Sequence, residues 1–126
     1  MFINVSSEPS MKWSEEQRNA ALAMGRCVSI LDIRVPEIAP EADEESVEII
    51  AEDLAYHSTG YFAPLDTPYV ILLQCEHSLF WETAKKIRRI APLSTLVVPT
   101  MATRFEDIGE GLRMARNVFV RFRKIE

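Results

Sequence analysis

Four apolar runs punctuate this chain, and helix-patterned stretches separate each from the next, an alternation that leaves few folds open. The strongest run is Tyr69 to Cys75, YVILLQC, almost continuously apolar. Such a run suits a central parallel strand that is buried on both faces. Phe2 to Ser6 (FINVS) reads as the first strand, Cys27 to Ile33 (CVSILDI) as the second and Leu93 to Pro99 (LSTLVVP) as the fourth. Parallel strands joined by helices require right-handed crossovers, and the simplest order is 2-1-3-4.

The helices between them carry start and stop signals. Ser14-Glu15-Glu16-Gln17 follows a capping-box pattern, so the first helix begins there, with Trp13, Gln17, Ala20, Ala21 and Met24 on one face. Gly25 is placed to end it in a left-handed conformation. Pro36 and Pro40 mark the loop after strand two, and Asp43 is the expected cap of a second helix whose buried stripe is Val47, Ile50, Ala51 and Leu54. The stretch from His57 to Pro68 returns the chain to the sheet. A third helix is expected over Ser78 to Ile90, with Phe80, Thr83, Ala84, Ile87 and Ala91 inward.

The end of the chain changes character. Thr103 to Ile108, the turn Gly109-Glu110-Gly111 and the alternating VFVRFR of Val118 to Arg123 predict an antiparallel hairpin at the sheet edge. A helical turn over Leu112 to Arg116 is the alternative. The 126 residues hold a single core, so residues 1 to 126 read as one three-layer α/β domain of Rossmann-like type, mostly parallel with a C-terminal antiparallel β-hairpin.

No run approaches the roughly 20 apolar residues of a membrane span, and MFINVSS lacks the features of a signal peptide, so a cytoplasmic protein away from membranes is expected. Cys27 and Cys75 fall in the apolar runs, outside any C-x-x-C or Cys/His cluster, and read as small buried hydrophobes with no disulfide. The net charge of −5 is unevenly spread: residues 1 to 63 carry 4 basic and 12 acidic side chains, residues 64 to 126 carry 10 and 7. Solvated helix and strand faces account for most of this, and the overall acidity argues against long nucleic acid as a partner.

In an open parallel sheet of this order, ligands bind beyond the carboxyl ends of the strands where the order reverses, between strands one and three. Three loops would meet there. The first supplies Ser6, Ser7, Ser10 and Lys12, the second Glu76, His77 and Ser78, and the third, after strand four, Thr100, Thr103 and Arg104. Serines beside helix N-termini suit an anion. The four glycines (Gly25, Gly60, Gly109, Gly111) miss the first strand-to-helix loop, which speaks against a dinucleotide cofactor, and no Walker loop is present. No metal site and no cofactor are expected.

His77 follows Glu76 at the end of the central strand and could act as a general acid or base, or simply hydrogen-bond the third helix. Arg104 could pair with phosphate or with Glu106. His57 reads as a solvated helix-end residue, and Trp13 and Trp81 as packing anchors.

The opening FINVSSEPSMKWSEEQRNAA, the CEHS after the central strand, the ATR after strand four and the closing FVRFRKIE together resemble small CRISPR-associated proteins of Rossmann-like, CARF type, some of which are ring nucleases. The resemblance spans most of the chain through short motifs. It implies a homodimer that binds cyclic oligoadenylate in the crevice, with Ser7, Ser10 and Lys12 on the first ligand loop, Glu76 and His77 on the second, and Thr103 and Arg104 on the third. In ring nucleases the ligand's own 2′-hydroxyl attacks the adjacent phosphate, so the protein mainly aligns groups and neutralises charge. The acidic Glu8 in SEPS and Glu76 depart from what a phosphate site needs.

Three functions stand as expectations. The first is a module binding a nucleotide or cyclic oligoadenylate. The second is a metal-independent phosphodiesterase using His77, Lys12 and Arg104. The third is a non-catalytic protein that dimerises or docks through its hairpin.

Overall fold

Short apolar strands become a stable sheet only when both faces are covered, and this chain covers them with helices of unequal number. The computed structural model describes residues 1–60 and 69–125. It contains β1 (Phe2–Ser6), a 3-10 turn (Ser10–Lys12), α1 (Glu15–Gly25), β2 (Ile30–Arg34), α2 (Glu44–Thr59), β3 (Val70–Leu73), α3 (His77–Ile90), β4 (Thr95–Gly109) and β5 (Leu112–Lys124). The five strands form one sheet in the order β2-β1-β3-β4-β5. The first four run parallel, and β5 is antiparallel to β4.

Alternation along each strand divides the core in two. Ile3, Val5, Ile71, Leu73 and Leu96 face Val47, Ala51 and Leu54 of α2 and Leu79, Ala84 and Ile87 of α3. Phe2, Val70, Leu72 and Val97 face Trp13 and Ala21 on the α1 side, joined by Phe119 and Phe122 of β5. Three layers result, as the sequence pattern requires.

The caps fall where the sequence places them. Ser14 accepts from the Gln17 backbone N–H, and Asp43 from that of Ser46. At the end of α1 the outcome differs: Gly25 is the last helical residue and Arg26 takes the left-handed conformation, φ 50°. Gly25 is required for another reason, because a Cβ there would meet Phe2 Cβ at 2.8 Å and backbone atoms of Met1 and Phe2 at 2.9 Å. Strand two starts at Ile30 rather than Cys27, since its ladder with the five-residue β1 begins at Phe2↔Ile30. Both cysteines therefore flank strands and are half-buried free thiols, not interior core residues. The predicted return segment extends through residues 61–68, which lie outside the described residues.

The largest departure concerns strand four. It does not stop at Pro99 but continues to Gly109, and β5 pairs with it from Leu112 to Lys124, which excludes a helical turn over Leu112 to Arg116. Proline is tolerated because Thr95 donates its N–H to Tyr69 O; by alternation the N–H that Pro99 lacks would face the β3 side, beyond the last β3 pair, Leu72↔Val97. The turn is Glu110-Gly111, with positive φ at both residues (54° and 75°), as a two-residue hairpin turn demands. Beyond a register shift at Thr100/Met101 the β4–β5 pair rises past the carboxyl ends of β1 and β3 as an arm of about 30 Å, at roughly 3.3 Å per residue.

Candidate functional site

The carboxyl ends of β1 and β3 do lie side by side, with Val5 paired to Leu73, and a crevice of about 590 Å³ opens above them. Ser7 and Glu8 from the first loop, Val35 to Ile38 from the loop after β2, and Gln74, Cys75 and Glu76 after β3 line it. No lysine or arginine is among these residues, while Glu8, Glu37 and Glu76 are.

The first loop is held by a polar network that begins inside the sheet. Asn4, 1% exposed, pairs in register with Asp32 of β2. Its amide Nδ2 donates to Asp32 Oδ1 at 2.9 Å and to Glu8 O at 2.8 Å. Ser6 Oγ donates to Asn4 Oδ1 at 2.7 Å, and Ser10 donates its N–H and its Oγ to the Asp32 carboxylate at 3.1 and 3.0 Å. Ser6 and Ser10 are thereby buried and occupied in shaping the loop, which leaves Ser7 as its crevice-lining hydroxyl. Asn4 and Asp32 were hidden in the sequence as polar interruptions of apolar runs, FINVS and ILDIR. A polar residue in a buried strand needs a partner, and that signal could have exposed them.

The second loop serves helix α3. Glu76 is its cap, accepting from Ser78 Oγ and from the Ser78 and Leu79 backbone N–H groups at 3.1 Å each. These donors, foremost the Ser78 hydroxyl, hold the Glu76 carboxyl below its ordinary range, so it is an anion and not a proton donor near neutrality. Burial, with the Glu76 charge beside it, pushes the Cys75 thiol up to about 11. His77 Nε2 accepts from Trp81 Nε1 at 3.2 Å, and both line a separate groove between the starts of α2 and α3. Trp81 is 48% exposed and is no packing anchor, whereas Trp13 is buried against Phe2 and Phe122.

The third loop does not exist as one. Thr100, Thr103 and Arg104 belong to β4, where Thr100 Oγ1 donates to Arg121 O at 2.9 Å, Thr103 Oγ1 bonds Asn117 Oδ1 at 3.3 Å, and Arg104 lies opposite Arg116 on the arm. Lys12 is exposed at the end of the 3-10 turn that leads to α1. His77, Lys12 and Arg104 thus occupy three separate surfaces. Among the described residues no group of three or more His, Cys, Asp or Glu could hold a metal ion, and no helix is long and apolar enough to cross a membrane. Compared with protein-family models, curated proteins and solved structures, the chain matches none.

Proposed function

We propose that the chain is a nucleotide-binding α/β module of the small CRISPR-associated kind it resembles, taking a nucleotide or cyclic oligoadenylate at the carboxyl ends of β1 and β3. The observation that carries this reading is the crevice at the point of strand reversal, with Ser7, Gln74, Glu8 and Glu37 beside apolar Val35 and Ile38. Carboxylates accept from ribose hydroxyls, an amide matches a base edge, and the apolar side chains offer surface to a flat ring. With no cation in the lining among the described residues, the ligand's phosphates face outward. Binding is preferred to turnover because Cys75 stays protonated near neutrality, Glu76 is occupied as a cap, and His77, Lys12 and Arg104 do not share the crevice.

Thermal denaturation with mononucleotides and cyclic oligoadenylates tests this. A ligand at 100 times its Kd adds about 2.7 kcal/mol of stability. The shift should shrink in Gln74→Ala and Ser7→Ala, and the ligand should be recovered uncut. No shift with any of these ligands overturns the reading.

A further inference from the structure

We infer that the face of the β4–β5 pair on the α3 side of the sheet binds the phosphate backbone of a short single-stranded nucleic acid. The inference stands independently of what occupies the crevice. Register fixes which side chains share this face. Phe122 pairs with Pro99 and packs on the α1 side, so its neighbours Arg121 and Arg123, opposite Thr100 and Val98, point the other way. Past the register shift Phe119, paired with Met101, is again on the α1 side, which places the opposed Arg104 and Arg116 on the same face as Arg121 and Arg123.

That face is cationic although the outer part of the hairpin is balanced overall. Its one acid among the described residues is Glu106, which meets Arg116 at 3.3 Å; Asp107 meets Arg113 on the α1 side, and Glu110 stands in the turn. Arg104, Arg121 and Arg123 are exposed and have no ion partner among the described residues. Helix α3 adds a fifth arginine at the border. Lys86 meets Glu48 of α2 at 3.6 Å, so Arg88, about 200° further round the helix, lies on the opposite flank, toward β4 and β5. The densest run of carboxylates, Glu44 to Asp53, is on α2, beside β2 at the far edge of the sheet.

A row of arginines suits a chain of phosphates. Alternate residues of a strand stand about 7 Å apart, comparable to neighbouring phosphates of an extended single strand. Arg123 and Arg121 occupy two successive steps of this kind, Val118 with Ala102 the next, and the Arg104–Arg116 pair the one after. The planar guanidinium takes two phosphate oxygens at once, and two cations opposed across a ladder are relieved by an anion between them. Phosphates carry a charge at every step, whereas an acidic peptide does so only with a carboxylate at every second residue. A single strand also bends to follow a twisted ribbon, which a stiff duplex does not. The aromatic residues of β4 and β5, Phe105, Phe119 and Phe122, are all on the α1 side, so this face holds backbone without stacking bases and has little sequence preference.

Fluorescence anisotropy of the full chain with a labelled oligouridylate of about ten nucleotides tests this. The affinity should fall with salt, with a slope of about −2 to −3 in log K against log salt, as three or four phosphates at about 0.7 each require. Arg121→Ala and Arg104→Ala should each make the slope shallower by about 0.7 and weaken binding alike for uridylate and adenylate strands. Glu106→Gln, which removes the acid and releases Arg116, should tighten binding. Lys124→Ala, on the α1 side of the same strand, should leave it unchanged. No binding at low salt, equal binding of a polyglutamate peptide or of a duplex, an Arg121→Ala variant that matches wild type, or a loss in Lys124→Ala as large as in Arg121→Ala would overturn the inference. Thermal shifts with mononucleotides, read separately, report only on the crevice.

Discussion

A side chain that holds its own backbone is withdrawn from chemistry, and Ser6, Ser10 and Glu76 illustrate how sequence position alone conceals this. Ser6 ends β1, and Ser10 and Glu76 follow in the strand-to-helix connections where a ligand site belongs, yet two of them shape the first loop and one caps α3. Cys75 behaves comparably: with its thiol raised to about 11, it should resist iodoacetamide at pH 7.5 and react only as the pH approaches that value. Mass spectrometry of a Cys27→Ser variant measures this, and rapid labelling at pH 7.5 would contradict it. Thr83 is fully buried and its hydroxyl has no hydrogen-bond partner among the described residues. Replacing a buried unpaired hydroxyl by a methyl group of similar shape costs little, so Thr83→Val should unfold at the same denaturant concentration as wild type or higher. Gly25→Ala should destabilise by about 1–3 kcal/mol, because Phe2 and the Met1 backbone occupy the space of the new methyl group.

At the level of elements, helix starts were the most legible feature, since Ser14 and Asp43 are capping residue types standing at the head of amphipathic stretches. Ser14→Ala should cost about 1 kcal/mol in chemical denaturation. Two caps are titratable. Asp43 and Glu76 both have carboxyls lowered from their ordinary values of 3.8 and 4.5 by hydrogen bonds to Ser46 and Ser78. A lowered folded value means the stabilisation is complete above the unfolded pKa and disappears as the pH falls through the folded one. Thermal midpoints measured from pH 6 downward should therefore fall less in Glu76→Gln than in wild type, and an equal fall would contradict this origin. Strand limits were less legible, because β1 has only five residues and the ladder, not the apolar run, decides where β2 and β3 begin and end. The apolar run ending at Pro99 understated β4 for a related reason: the strand continues through exposed residues to Gly109, and a proline does not stop it when its missing N–H would have faced no partner.

For the whole molecule, the alternation of strands and helices was enough to give the architecture, including the order 2-1-3-4 and the added hairpin. What it withheld was the length of that hairpin, since exposed β4 and β5 residues carry no burial pattern to read. Their exposure makes a prediction about local stability. Amides of the arm between Met101 and Asn117 should exchange with deuterium orders of magnitude faster than those of β1 and β3, where every residue is buried. Uniform protection across the sheet would contradict this.

The unbroken run of β4 also has a mechanical meaning. The strand that hydrogen-bonds to β3 inside the domain is the same one that reaches the distant tip, with a single irregularity at Thr100/Met101 between the two halves. It is a stiff rod rather than a flap on a loop: the backbone of the tip and the backbone bonded to β3 are one strand, so a load on the tip is borne by the sheet itself.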